Sequence, residues 1–353
     1  MKKYPGKRND TEYFKRSFDA FKAENFKWMI ALLLMISIIL IIGSLAVGFY
    51  SISVKELLSL LARGGEAAAD KNSSVIIIIK NIRLPRIIAA FAIGMGLSLA
   101  GAAYQGMFKN PLVSPDILGV SSGAGLGAAL ALTIGLPDFL VQVYAFVFGI
   151  LVVSLAYFIG SHAKFGHDVS LVLAGSMLGA LSSSFITLLK YLADPSDTLP
   201  AITFWLMGSL SKVTVNSLLF SLIPMVLGSS VLYMLRWKLN ILTLGDEEAQ
   251  AIGIDPKSTR LIAVAAATII SASAVCLGGL IGWVGLMIPH IARGIVGADY
   301  RRLLPAAALI GGSFLLLMDD LARSLSAMEI PLGVLTAVMG APFFIVLIVK
   351  RRR

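Results

Sequence analysis

In a chain of 353 residues with few charged side chains, two acids sit where charge is expensive. Asp319 and Asp320 lie inside a long apolar run, with Arg323 one helical turn further on. Ionisable groups at membrane depth are costly and mark function by default. Asp319 and Arg323 are spaced i, i+4, so they can pair on one helical face. Two chemistries fit. In a proton-coupled carrier, Asp319 or Asp320 is the group that titrates. In an ATP-driven importer the acids are structural, and Arg323 faces an outer docking surface. Arg83 and Arg86, at the start of another apolar run, lie at a similar depth. Three outer-edge arginines favour docking.

Catalytic constellations are absent. No G-x-x-x-x-G-K-[ST] loop is present, so the chain does not hydrolyse nucleotide by that route. His162, His167 and His290 lack metal-ligand spacing, and His290, following Pro289, reads as a structural residue at a bend. Cys276 is the single cysteine. One thiol makes neither an internal disulfide nor a metal site. No Ser/His/Asp set or H-E-x-x-H signature occurs, so an enzyme is a poor reading and no cofactor is expected on this chain.

The longest charged break between apolar runs is residues 236–260, RWKLNILTLGDEEAQAIGIDPKSTR. Residues 245–253 read as a short helix, with Asp246, Glu247 and Glu248 at the positive end of its dipole and Gly253 as the left-handed stop. Asp255 and Pro256 then start another helix as cap and first residue. A helix of about two turns does not stand alone in water and must pack on its own domain or on a partner. The island is either a cytoplasmic docking element or an ordinary solvated loop.

The elements that position these groups are membrane helices. Hydrophobic residues make up 57% of the chain and charged ones 14%, and the mean hydropathy is +0.86. A soluble domain sits far lower. Apolar segments of about 20 residues span a bilayer as helices. About ten spans are expected, near 28–50, 84–107, from 115, 139–161, 169–192, 216–235, 258–281, a short one broken at Pro289 and ending near 296, 303–325 and 331–349. The chain divides into a basic tail, residues 1–27, and one helical domain, residues 28–353. Residues 51–61 carry an amphipathic pattern that predicts an interfacial helix, and residues 193–213 are mixed. Gly119, Gly123 and Gly127 form a small-residue stripe that serves helix packing or substrate contact. A faint echo of residues 101–111 in residues 278–289 fits an inverted repeat.

Net charge is +10. It concentrates in the two tails, at Lys109 and Lys164, in the island and at Arg301 and Arg302. These loops fall on one side, which places both termini in the cytoplasm, touching anionic lipid; nucleic acid is not needed to explain the charge. Residues 51–86 break the rule, with six cations on the outside. That patch either docks an acidic partner or lets Arg83 and Arg86 snorkel to outer phosphates.

Several motifs then resemble one family. They are R-L-P-R at 83–86, G-A-A-Y-Q-G-M-F-K-N-P-L at 101–112, P-D-I-L-G-V-S-S-G-A-G at 115–125, L-T-L-G-D-E-E-A-Q-A-I-G-I at 242–254, G-W-V-G-L-M-I-P-H-I-A-R at 282–293 and I-P-L-G-V-L-T-A-V-M-G-A-P-F-F at 330–344. In this order they resemble the permease subunits of iron–siderophore, haem and vitamin B12 ABC importers. The resemblance implies an all-α, B12-permease-like fold of ten helices in a bacterial or archaeal cytoplasmic membrane. It implies a second permease copy, two cytoplasmic ABC ATPases carrying ATP and Mg, and an extracytoplasmic binding protein. It assigns Leu244, Gly245, Asp246, Glu247, Glu248, Ala249, Ile252 and Gly253 to ATPase coupling. Arg83, Arg86 and Arg323 become docking residues for the binding protein. His167, Asp168, Val169 and Ser170 fall at the inner gate, bulkier and more charged than the small hydroxyl residues of the B12 relative.

Overall fold

The computed structural model describes residues 25–48, 74–163, 167–326 and 328–350. The basic tail up to residue 24 and the expected interfacial helix at 51–61 lie outside the described residues. All regular structure among the described residues is helical. Among the described residues seven helices are long and apolar enough to cross a bilayer, and four shorter apolar helices accompany them.

The first helix, α1 (Phe26–Ala46), turns most of its Leu and Ile side chains outward and buries only Ser37 and Ser44. That pattern suits a helix with lipid on one side. A helical turn, Ser74–Ile78, and a wider one, Ile79–Arg83, lead into α2 (Leu84–Met107). This is the central post, with nearly every side chain from Pro85 onward buried. Small residues let neighbouring backbones close on it. A Cβ on Gly94 would stand 2.2 Å from the Gly311 carbonyl, and one on Gly101 1.8 Å from that of Gly285.

Then follow α3 (Val120–Thr133), α4 (Asp138–His162), α5 (His167–Leu192), α6 (Thr198–Met207) and α7 (Val215–Met234). The island contributes α8 (Arg236–Leu242) and α9 (Asp246–Ala251). The rest is α10 (Pro256–Gly278), α11 (Val284–Val296), α12 (Tyr300–Ser324) and α13 (Leu332–Lys350). The ten expected spans are α1 to α5, α7 and α10 to α13. Helices α10, α11 and α12 pack directly on α2, and α12 also packs on α1.

Four details differ from the sequence reading. The mixed stretch 193–213 contains α6, whose Pro200 sits in the first turn, where its missing N–H costs nothing. Helix α3 does not start at Pro115. Residues Pro115–Leu118 form a 3₁₀ turn, and Gly119, at φ +83°, breaks it from α3. Helix α11 is not broken at Pro289 but runs through it, and the break lies earlier, at residues 279–283. Near the proline, the Gln105 side chain donates to the Leu286 carbonyl at 3.1 Å and ties α11 to α2. Finally, residues 236–242 of the island are a helix rather than loop.

Candidate functional site

The island is built on buried apolar residues. Leu239, Ile241, Leu242, Ala249 and Ile254 all join the main core. Helix α9 has three acids in its first turn, and Gly253 follows it at φ +81°. Asp255 caps α10, accepting from the Lys257 and Ser258 N–H groups at 3.1 and 3.3 Å. One end of α9 is pinned to α10, since both Arg260 Nη atoms reach the Asp246 carboxylate at 2.8 Å. Glu247 and Glu248 point outward. Beside them Leu244 is 70% exposed and Ile252 56%. Exposed apolar side chains rimmed by acids on an anchored scaffold have the composition of a docking surface. Gly245 and Ala249 instead face inward.

A second fastening was not legible in the sequence. Asn240 on α8 donates through Nδ2 to Asp299 Oδ1 at 2.7 Å and accepts through Oδ1 from the Tyr300 N–H at 2.9 Å. Asp299 caps α12, accepting from the Arg301 N–H at 3.0 Å. Partial burial works to raise the Asp299 pKa. The Arg301 N–H, the Asn240 amide and the charges of Arg302 and Arg301 outweigh it and hold the carboxyl below the usual carboxylate range.

At the other end of α12 the structure does bring Arg83, Arg86 and Arg323 together, but inside. Their exposures are 4%, 6% and 8%. Arg86 grips Asp319 through Nη2 at 2.8 Å and Nε at 3.0 Å, and Glu329 through Nη1 at 2.7 Å and Nη2 at 2.9 Å. Arg323 pairs with Asp320 and, through Nε at 3.3 Å, with Asp319. Ser44 donates to Asp320 at 2.6 Å and accepts from Arg323 at 2.7 Å. The end of α1 leaves carbonyls unpaired; Arg83 donates to that of Leu45, and Arg323 to those of Ser44 and Val47 at 3.3 and 3.0 Å. Three arginines thus meet three carboxylates and one helix end. The expected i, i+4 pair of Asp319 and Arg323 is present, but the picture of three arginines open to the outside needs correcting. Glu329, the loop residue that completes the cluster, escaped sequence reasoning because nothing in a sequence says which outer acid folds back.

The glycine stripe serves packing. A Cβ on Gly123 would lie 2.8 Å from the Phe148 carbonyl, and one on Gly127 2.3 Å from that of Tyr144, both on α4. Gly119 stands against Gly175 and Gly179 of α5. At the start of α5, Val169 is exposed and Ser170 buried; the side chains of His167 and Asp168 lie outside the described residues. Val169, Leu173, Met177, Leu181, Phe185 and Leu188 are all exposed, an apolar face along α5 that the described residues leave uncovered. His290 lies near the Phe343 and Phe344 rings, 6.2 and 6.4 Å between centroids. Among the described residues no group of three or more His, Cys, Asp or Glu could hold a metal ion.

The FecCD transport family matches residues 33–350. The chain belongs to the FecCD transport family. It is 39% identical over 325 residues to the molybdate import system permease protein of Haemophilus influenzae, covering 92% of this chain and 95% of that one. It is 36% identical over 332 residues to the hemin transport system permease protein of Yersinia pestis, covering 92% and 96%. Its fold is similar to a solved inward-facing metal-chelate type ABC transporter, with a TM-score of 0.83, 37% identity and coverage of 92% and 99%. A FecCD chain is the permease subunit of an ABC importer, and ATP hydrolysis belongs to a separate partner. The proton-carrier alternative has no support. Asp319, completely buried, is held between Arg86 and Arg323, which gives it a structural occupation in place of an open proton site.

Proposed function

We propose that this FecCD permease admits a metal-bearing small solute, an iron chelate, haem or cobalamin, to the cytoplasm by alternating access. Two copies enclose the path, two cytoplasmic ABC ATPases drive it, and an extracytoplasmic binding protein delivers the solute. The observation that carries the reading is the anchored island, which turns Leu244, Glu247, Glu248 and Ile252 to solvent on a body that is otherwise apolar. A stroke can be transmitted only through a surface that is both exposed to the motor and rigidly tied to the helices it moves. The island meets both conditions.

The uncovered face of α5 is where a second copy packs, and residues 167–170 at its inner end form the gate. The outer arginine cluster is the docking region for acidic lobes of the binding protein, with half-exposed Glu329 as the group that gives way. The named solutes of relatives support a metal-bearing cargo, since they include molybdate, hemin, iron chelatin in Helicobacter pylori and cobalamin in Halobacterium salinarum. Both termini lie in the cytoplasm.

The test is reconstitution in liposomes, with and without the co-purifying ATPase and binding protein, scoring ferric siderophore, haem, cobalamin and molybdate. Uptake that needs ATPase and ATP is the expected result, and the solute taken up names the cargo. Uptake by the permease alone, abolished by a protonophore, would overturn the proposal.

A further inference from the structure

Helices α8 and α9 have seven and six residues. Neither is rigid by itself, because helices this short are marginal without tertiary support. What they transmit depends on their fastenings. Arg260 ties α9 to α10. Asn240 ties α8 to the first turn of α12, and it does so with both ends of its carboxamide, one on the capping carboxylate of Asp299 and one on the Tyr300 N–H. Tyr300 carries the connection further. Its hydroxyl donates to the Ala102 carbonyl of α2 at 2.8 Å. The ring has room there because residue 106 is glycine, whose Cβ would stand 2.1 Å from the Tyr300 oxygen. One carboxamide therefore links the island to the inner ends of α12 and α2, the two helices whose outer ends hold Arg86, Asp319 and Arg323.

We infer that Asn240 is a positioning residue for transport, the fastening through which movement of α9 reaches α12 and α2. The inference rests on the ATPase-coupling reading of the island. A carboxamide suits the task for a chemical reason. It donates to a carboxylate and accepts from a backbone N–H at once, which neither a carboxylate nor an aliphatic side chain of the same size can do. Without Asn240 the island keeps its apolar seat and its Arg260 tie, so the ATPase still docks and still turns over. Its stroke then reaches α10, while α12 is left with only the apolar packing of α8 to follow it.

The experiment uses the permease assembled with its ATPase in nanodiscs. Spin labels replace Phe139 and Leu325, at the outer ends of α4 and α12, and distances are compared without nucleotide and after trapping with ATP and vanadate. The original chain shows a nucleotide-dependent shift. Asn240→Ala loses the shift while ATP hydrolysis stays within about twofold, less than 1 kcal/mol of barrier. Asn240→Asp, which keeps an acceptor for the Tyr300 N–H but sets a second carboxylate against Asp299, loses the shift as well. The inference is overturned if Asn240→Ala or Asn240→Asp shifts like the original chain, or if hydrolysis falls along with the shift. Absence of any shift in the original chain would instead count against the ATPase-coupling reading itself.

Discussion

The two ends of α12 treat charge in opposite ways. At the outer end, arginines and carboxylates are sealed together, with Asp319 wholly buried and Arg86 shared between two acids. At the inner end, Glu247 and Glu248 reach solvent, and α9 is held by the side chains around it, through Asp246 and the neighbouring Asn240 link. The difference is one of dielectric. A carboxylate between helices must be paired, because the penalty for leaving it alone is several kcal/mol. A carboxylate in water has no such need and stays free for a partner. The outer charges thus work for the fold, while Glu247 and Glu248 at the inner end are left to water.

Removing one outer partner is the strongest way to break this contrast. Asp319→Ala leaves Arg86 and Arg323 short of a buried counter-charge and should cost about 3–5 kcal/mol, seen as a loss of folded protein in detergent and a lowered Tm. If the variant is as stable as the original, the outer cluster is no lock. The inner end should respond oppositely. Reversing both acids, Glu247→Lys with Glu248→Lys, should lower Tm only slightly, since two acids leave the first turn of α9, and should lower ATP-dependent uptake at least about tenfold, equivalent to about 1.4 kcal/mol. Unchanged uptake would remove the island from coupling.

Smaller effects sharpen the comparison. Gly127→Ala drives a methyl towards the Tyr144 carbonyl and should destabilise by about 1–3 kcal/mol as overpacking, while the same change at Gly253, at φ +81° with open space around it, tests backbone strain alone at about 1 kcal/mol. Glu329→Gln, half-exposed and able to keep one bond to Arg86, should lose less stability than Asp319→Ala, by the same melting measurement. The smallest effect is a pH slope. Asp299 has a depressed folded pKa, so its contribution is present above its unfolded value of about 3.9 and fades as pH falls through the folded one. Asp299→Asn should flatten that acid limb of the stability curve.

Length and hydropathy made the membrane helices legible, because a bilayer demands long apolar runs whatever the partners. The island was legible too, since a charged break bounded by a capping Asp255 and a stopping Gly253 is a local pattern. Helices α6 and α8 were not, because each is short and owes its helicity to packing rather than to its own period. The three arginines meet at one level, as their places near the ends of their helices suggest, but their burial is not legible, because the end of α1 and the loop bearing Glu329 close over them only in the fold.

Which segments leave water and which side chains can carry charge both follow from local composition. Which charges are paired inside and which are left to water depends on packing between distant segments. Arg86 and Asp319 are 233 residues apart, and Asn240 and Asp299 are 59 apart. Pairings over such separations depend on how helices pack, and a one-dimensional pattern does not contain that information.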